Sequence, residues 1–211
     1  MAKNKLIIDG NSLTLEKIEY FLNENPQIVL SEQSKRNVNK ARKLIDKWID
    51  EDQVIYGVTT GFGEFSNVKI SRKDLEKLQE NLIVSHSAGV GEDLPPFIIK
   101  IMMLLRANAL AKGYSGIKLS TLELLLVFIN NNIIPVIPSQ GSVGSSGDLA
   151  PLSHLVLSLI GKGKSQKFDF VNSETTKFSK PISTKNILKK LKLNPVILGA
   201  KEGLALVNGT Q

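Results

Sequence analysis

Two neighbouring segments of almost wholly apolar residues constrain the fold of this chain more than any other feature. Residues 97–112 and 119–131 each place apolar side chains on all sides of a predicted helix. A helix of this kind has no polar face to turn toward water, so it must be surrounded by protein. Two such helices in succession predict a mainly α protein built around a multi-helix bundle. Arg106 and Asn108, inside the first segment, then need polar partners in the interior.

The composition limits the class of protein. The chain has 211 residues, enough to bury a large core, and it contains no cysteine. Disulfides and thiolate metal sites are therefore excluded, and we predict no metal site. No apolar run is long enough to cross a membrane, and the N-terminus carries no apolar signal segment. We therefore expect a soluble, cytoplasmic protein without a membrane partner.

The net charge of +7 is concentrated in one segment. Residues 162–192 hold nine lysines and two acidic residues, which accounts for the whole excess of positive charge. A basic segment with scattered phenylalanines could bind RNA or an acidic surface. A lysine-rich stretch is more often a solvated connector between elements. We favour the connector and expect no nucleic-acid partner.

Helix signals organise the rest of the chain. The first helix is predicted to have an inner apolar stripe that includes Leu15, Ile18 and Phe21. Ser31 and Ser71 are predicted N-caps of the next two helices. Further helices are expected over 148–160 and 186–193, with a hairpin or loose excursion over 161–185 between them. His154, in the first of these two helices, is expected to be structural.

The stretch from Pro138 to Leu152 is the most unusual in the chain. Gly141, Gly144 and Gly147 recur at every third residue, with serines between them. Glycine lets a backbone bend tightly because it lacks the Cβ atom that forbids such conformations. The spacing fits neither a G-x-x-x-x-G-K-[ST] phosphate loop nor a G-x-S-x-G nucleophile elbow. Two hypotheses remain, a Gly-Ser turn that caps the following helix and a cyclisation of the backbone.

The cyclisation hypothesis uses the backbone itself as chemistry. The Gly147 amide nitrogen would attack the carbonyl carbon of Ser145 and close a five-membered ring. Loss of one water from that ring and one from the Ser146 side chain would leave an imidazolone with an exposed methylene. That group is an electrophile, which no ordinary side chain supplies. For the loop taken alone, the capping turn is the more common alternative.

The segment 141–152 resembles the signature of the aromatic amino-acid ammonia-lyases, the family of histidine and phenylalanine ammonia-lyases. In that family an Ala-Ser-Gly triplet cyclises autocatalytically to 4-methylidene-imidazol-5-one (MIO). The resemblance implies that Ser145, Ser146 and Gly147 form this cofactor, with Ser145 in place of the usual alanine. Ring closure uses only the carbonyl of that residue, so its side chain stays outside the ring.

The loop of residues 56–63 has three glycines in seven residues and a tyrosine at its head. Such spacing indicates a loop, in which Tyr56 could simply end a strand and pack its ring. The loop resembles the family's Tyr-Gly-x-x-Thr-Gly-Phe-Gly motif. This resemblance implies that Tyr56 is the base that removes the β-proton of the substrate. Thr59 is more like the residue of the phenylalanine-type loop, because the histidine type often has asparagine at this position.

Four further residues are implied to bind the substrate. A lone histidine at a helix end is usually structural, but Ser85-His86 resembles the pair of the histidine-type enzymes. His86 can exchange a hydrogen bond with an imidazole substrate and cannot do so with a phenyl ring. The segments 105–116 and 201–211 also resemble the family, whose Asn-Gly-Thr-Gln lies beside the cofactor. Asn208 and Gln211 therefore inherit roles in contacting substrate and cofactor.

The resemblance runs from Leu6 to Gln211 and implies a histidine ammonia-lyase, which converts L-histidine to urocanate and ammonia. Family members are more than twice as long, and a long helical bundle follows the last motif. Their active sites are shared within a homotetramer, and the later half supplies a second tyrosine, an arginine and an acidic group. We expect residues 1–211 to be the N-terminal portion, with the C-terminal helical half absent. The alternatives are a phenylalanine or tyrosine ammonia-lyase, an aminomutase, or a non-catalytic truncated fragment that needs a second chain.

Overall fold

Helices form most of the secondary structure, as the apolar segments predict. A computed structural model describes residues 4–61, 70–141, 147–170 and 176–209. The helices in these ranges are α1 (Leu15–Glu24), α2 (Glu32–Asp50), α3 (Arg72–His86), α4 (Pro96–Ala111), α5 (Leu119–Asn130), α6 (Ala150–Leu159), α7 (Thr184–Lys190) and α8 (Glu202–Val207). The predicted mainly α fold is confirmed.

Short strands join the helices in small sheets. They are β1 (Lys5–Ile8), β2 (Gln27–Leu30), β3 (Val90–Asp93), β4 (Ile133–Pro135), β5 (Pro138–Gln140), β6 (Lys164–Phe170), β7 (Thr176–Phe178) and β8 (Ile182–Ser183). Strands β1 and β2 are parallel, and β3 is antiparallel to β5. Strands β4, β7 and β8 all pair antiparallel with β6. The expected hairpin within 161–185 is thereby confirmed.

The core is built on the two apolar helices. Helix α4 packs against α5, and α3, α6 and α8 pack against one another. Met103, Leu104, Leu125 and Phe128 are fully buried in one continuous apolar cluster. Each fully buried side chain of this size contributes roughly 1.5–3 kcal/mol of transfer free energy. None of the described helices is long and apolar enough to cross a bilayer.

Polar side chains in the core satisfy backbone groups of the N-terminal strands. The Asn108 side-chain oxygen accepts a hydrogen bond from the Gly10 N–H at 2.9 Å, so its expected interior partner is present. The Asn130 amide accepts from the Ile28 N–H at 2.7 Å and donates to the Ile28 carbonyl at 2.9 Å. This side chain therefore acts toward β2 as a neighbouring strand would.

Several details differ from the sequence predictions. Leu15 was placed on the inner stripe of α1, yet it is 80% exposed, because the helix begins at this residue and the core lies under its later turns. Helix α4 is not buried all round, since Phe97 and Leu105 are about half exposed. Helix α6 begins at Ala150 instead of 148, because Gly147 and Asp148 form the turn that precedes it.

Candidate active site

The two described ends of the glycine-rich segment meet just before α6. Gly147 has a φ of +92°, in the left-handed region that glycine adopts without strain. The Asp148 carboxylate accepts a hydrogen bond at 2.9 Å from the N–H of Ala150, the first residue of α6, while the N-cap residue Leu149 makes no side-chain capping bond. A Cβ atom at Gly141 would overlap that same carboxylate. The two ends of the loop, at Gly141 and Gly147, therefore lie close together.

Two residues of the predicted triplet, Ser145 and Ser146, lie outside the described residues, as does Gln211. Their structure is therefore not described, and the positions of the loop ends are the observations that bear on the triplet. Of the triplet, only Gly147 is described. The hydrogen bond from the Ala150 N–H to Asp148 belongs to a turn that leads into α6, and it does not distinguish the capping-turn hypothesis from a cyclised triplet before it.

The β3–β5 pair brings the predicted substrate pair near this loop. Ser85 and His86 end α3, and Ser87 is its C-cap. The chain then enters β3, in which Val90 lies opposite Gln140 of β5. Because β5 leads directly into Gly141, the segment that follows His86 runs beside the entrance to the loop.

Local hydrogen bonds fix the state of the His86 ring. Its Nδ1 atom lies 2.9 Å from the Leu82 carbonyl and 3.1 Å from the Ser85 hydroxyl. A carbonyl oxygen can only accept, so Nδ1 carries the proton in the hydrogen bond to Leu82. In the neutral ring, Nε2 is then the acceptor. The half-buried His86 is thus held with one defined acceptor atom.

Asn208 is tied to the interior through Arg106. The guanidinium Nη2 of Arg106 donates to the carbonyls of Ala205 at 2.5 Å and Asn208 at 3.1 Å. These are carbonyls at the C-terminal end of α8, where a cation is favourable. Burial lowers the pKa of Arg106 to about 10. The polar partners expected for Arg106 are therefore backbone carbonyls, and they hold the position from which the exposed Asn208 side chain projects.

A cavity of about 530 Å³ joins several of these groups. Its polar lining comes from Arg106 of α4, Ser139 of β5 and Asp148 before α6. Its walls are otherwise apolar, formed by Leu94, Ile98, Met102, Leu105, Ala109, Pro151 and Leu152. A concave, mainly apolar space with a few convergent polar groups is typical of small-molecule sites. Asp148, at one end of the glycine-rich loop, and Arg106, which donates to the Asn208 carbonyl, thus line one cavity.

Tyr56 is not among the residues that line this cavity, and its side chain is 62% exposed. The loop around it is organised by Thr59. The Thr59 hydroxyl donates to the Gln53 carbonyl at 2.6 Å and accepts from the Ile55 N–H at 2.9 Å. The structure therefore orders the backbone beside Tyr56 without bringing its side chain to the cavity. Phe62 and Gly63, the remainder of the predicted motif, lie outside the described residues.

One residue that supports the site was missed from sequence. Glu202 is fully buried and accepts hydrogen bonds from Gly199 N–H (2.7 Å), Thr121 Oγ1 (2.7 Å) and Lys118 N–H (3.1 Å). It also pairs with the Lys118 ammonium at 3.3 Å. These contacts anchor the start of α8, the helix that ends at Asn208. An acidic residue in a helical first turn was the available signal.

Comparison with known proteins identifies relatives across nearly the whole chain. The sequence profile described as aromatic amino acid lyase matches residues 13–211. A histidine ammonia-lyase from Caldanaerobacter subterraneus subsp. tengcongensis is 47% identical over 207 residues, which is 98% of this chain and 39% of the relative. This chain thus spans about 39% of the length of that relative.

Solved structures agree with the sequence matches. The crystal structure of histidine ammonia-lyase from Trypanosoma cruzi is similar with a TM-score of 0.85 and 40% identity, covering 97% of this chain and 38% of that one. A tyrosine aminomutase from Streptomyces globisporus is similar with a TM-score of 0.84 and 35% identity, covering 97% of this chain and 36% of that one.

Proposed function

The chain belongs to the aromatic amino acid lyase family, and from this premise we propose that it is the N-terminal part of a histidine ammonia-lyase. The proposed reaction eliminates ammonia from L-histidine and gives urocanate. The observation that carries this choice of substrate is the state of His86, whose Nδ1–H is engaged by Leu82. Its Nε2 acceptor matches the N–H donor of a substrate imidazole, and a phenyl ring offers no such donor.

The proposed cofactor is MIO, formed from Ser145, Ser146 and Gly147. Two observations fit it: the left-handed turn at Gly147 and the close approach of the loop ends at Gly141 and Asp148. A cyclised triplet needs a backbone that is already folded back on itself. The group would supply an electrophilic methylidene carbon, which the chain's ordinary side chains lack.

The roles of the other residues follow from the same proposal. Tyr56 would accept the β-proton of the substrate, which requires its exposed loop to meet the rest of the site. His86 would orient the imidazole ring. Asn208 would bind substrate from the end of α8, and Gln211 would lie near it. The apolar cavity walls would exclude water from the reacting atoms.

The proposed setting is a cytoplasmic homotetramer whose active sites are completed by protein beyond these residues. Several predicted site side chains, including those of Tyr56, Ser85 and Asn208, are exposed. A site of this reaction needs walls that exclude water. The 39% share of the relative's length supports a contribution from further chain.

Intact mass and turnover test the proposal together. We expect the purified chain to be lighter than its sequence by two water molecules, with the loss mapped to residues 145–147 and absent in Ser146→Ala. Urocanate formation, followed by ultraviolet absorbance, is expected when the chain is combined with the following residues of the Caldanaerobacter relative. An unmodified mass both in the chain alone and in the chain combined with the complementing residues would reject the cofactor. A mass loss without urocanate formation would reject histidine as the substrate.

A phenylalanine- or tyrosine-directed lyase or aminomutase is the second candidate. It is favoured by Thr59, which resembles the phenylalanine-type loop, and by the similarity to a tyrosine aminomutase. His86→Leu separates the two. A shift of activity from histidine toward phenylalanine supports the histidine assignment, and unchanged turnover of both substrates contradicts it. A non-catalytic fragment is the outcome if the chain yields no product either alone or with the complementing residues.

A further inference from the structure

One hydrogen bond joins the segment after His86 to the helix after the triplet. The Gly89 N–H donates to Nε2 of His154 at 3.1 Å. His154 lies on α6, one turn beyond its start at Ala150, and Gly89 lies between the end of α3 and β3. The bond therefore spans the two parts of the chain that carry His86 and Gly147.

Gly89 is packed closely against α6 and β5. A Cβ atom at Gly89 would lie 3.1 Å from His154 Nε2, 3.2 Å from Pro138 Cβ and 3.3 Å from the Gln140 carbonyl oxygen. Pro138 and Gln140 belong to β5, which enters the loop, and His154 belongs to α6, which leaves it. Gly89 is thus wedged between the two elements that flank the triplet.

The state of the His154 ring follows from its role as acceptor. Because Nε2 accepts the Gly89 N–H, it carries no proton, and in the neutral ring the proton sits on Nδ1. Leucine at this position would leave the Gly89 N–H without its partner. Glutamine would keep an acceptor oxygen at about the same reach from the helix.

We propose that His154 is a positioning residue that sets the distance between the substrate pair Ser85–His86 and Gly147, the described residue of the triplet. The inference rests on the proposed function, because that function gives both partners their roles. His154 touches neither substrate nor triplet in this account. It acts through the Gly89 backbone, which follows His86 by three residues.

The test compares His154→Leu with His154→Gln, and Leu157→Ala on α6 serves as the control for lost stability. Leu157 is partly buried and lies against Gly163, which belongs to neither α3 nor β3. We expect His154→Leu to raise KM for L-histidine about 3- to 10-fold, as the loss of one hydrogen bond predicts, with kcat changed about twofold at most. His154→Gln is expected to restore KM, and Leu157→Ala to leave it unchanged.

Amide hydrogen exchange at Gly89, measured by mass spectrometry on the chain combined with the following residues of the Caldanaerobacter relative, gives a readout that does not depend on turnover. We expect Gly89 to be protected in the wild type and in His154→Gln, and to exchange faster in His154→Leu but not in Leu157→Ala. Equal exchange in all four proteins, or an unchanged KM in His154→Leu, overturns the inference. Expected exchange rates without any histidine turnover would instead reject the proposed function and the positioning role together, while leaving the Gly89 bond established.

Discussion

At the scale of single residues, the site depends on partly buried polar side chains that each bond to the backbone. Arg106 donates to two carbonyls at the end of α8, and His154 accepts from Gly89. Neither side chain has a described carboxylate partner among the ion pairs of the structure. Both side chains therefore hold the main chain in place rather than neutralise a charge. Substituting either of them should change the stability of the protein.

Arg106→Met should lower the free energy of unfolding by about 1–3 kcal/mol. It removes charge-assisted hydrogen bonds to the Ala205 and Asn208 carbonyls, and part of that loss is offset because a buried cation no longer has to be desolvated. Arg36→Met is the matched control, since the exposed Arg36 bonds only to Gln33 within the described contacts. Chemical denaturation measures both, and equal effects in the two variants would contradict this account of Arg106.

Acidification should weaken the folded state through His154. Burial lowers the pKa of His154 below its ordinary value of 6.5. As the pH falls through about 6.5 toward the folded pKa, the unfolded chain takes up a proton that the folded chain does not, so stability is full above this window and declines within it. We expect the denaturation midpoint to drop less between about pH 7.5 and 5.5 in His154→Gln than in the wild type. An equal drop in the denaturation midpoint of the two proteins would contradict this role of His154.

At the scale of elements, the position of α8 depends on a carboxylate that has no contact with water. Glu202 accepts three hydrogen bonds and pairs with Lys118 at the start of this six-residue helix. Gln79 adds another contact, since its side-chain oxygen accepts from the Gly203 N–H at 2.9 Å. So short a helix has little stability of its own and takes it from such anchors.

Glu202→Gln should therefore destabilise the protein by about 2–4 kcal/mol, because an amide nitrogen would face donors that the carboxylate oxygens now satisfy. Glu32→Gln is the control, since Glu32 makes an exposed ion pair with Lys35 and its loss should cost under about 0.5 kcal/mol. Thermal unfolding of both variants measures the difference. If Glu202→Gln were as mild as Glu32→Gln, the anchoring of α8 would have to come from Gln79 and packing.

The elements also show what sequence can and cannot predict. Helices α2 and α5 were predicted well because their signals are local: the Ser31 hydroxyl accepts from the Ser34 N–H, as an N-cap should. Ser71 occupies the N-cap position of α3, but its hydroxyl donates to the Asp74 side chain instead. The burial of Glu202 and the β3–β5 pairing were not predicted, because each depends on partners far away in the chain.

The candidate site follows the same division. Motif resemblance named Tyr56, His86, Gly147 and Asn208, and the described ranges relate the last three through β5, α6 and Arg106. Resemblance did not provide the links between them. Arg106 was expected to need interior partners, but the α8 carbonyls could not be named, since they lie about a hundred residues away in the chain.

At the scale of the whole molecule, the exposed apolar surface is the feature that needs explaining. Phe97, Leu105, Tyr114 and Ile197 are between 46% and 89% exposed. Leu105 also lines the cavity beside Asp148. A mainly apolar cavity wall that is open to solvent is a surface suited to binding protein or to self-association. The chain spans only 39% of the length of its Caldanaerobacter relative, whose remaining residues are one source of such a partner.

We expect the chain alone to bind an apolar dye and to self-associate, and both to decrease when the remaining residues of that relative are added. Leu105→Gln should make this decrease several-fold smaller, because it places an amide on the apolar cavity wall. Leu44→Gln, at a position of similar exposure on α2, is the control and should leave the decrease in dye binding and self-association unchanged. A monodisperse, dye-free chain would argue against an interface at this surface.

The polar contacts of β1 and β2 also set an order in time for a chain that leaves the ribosome N-terminus first. The Ile28 N–H of β2 donates to the side chain of Asn130, 102 residues later, and the Ile28 carbonyl accepts from that same side chain. The Gly10 N–H, just after β1, donates to the side chain of Asn108, 98 residues later. At roughly 5–20 residues per second, these partners emerge about 5–20 s after the strands they satisfy. The backbone groups of Gly10 and Ile28 therefore lack these partners until α4 and then α5 have been made.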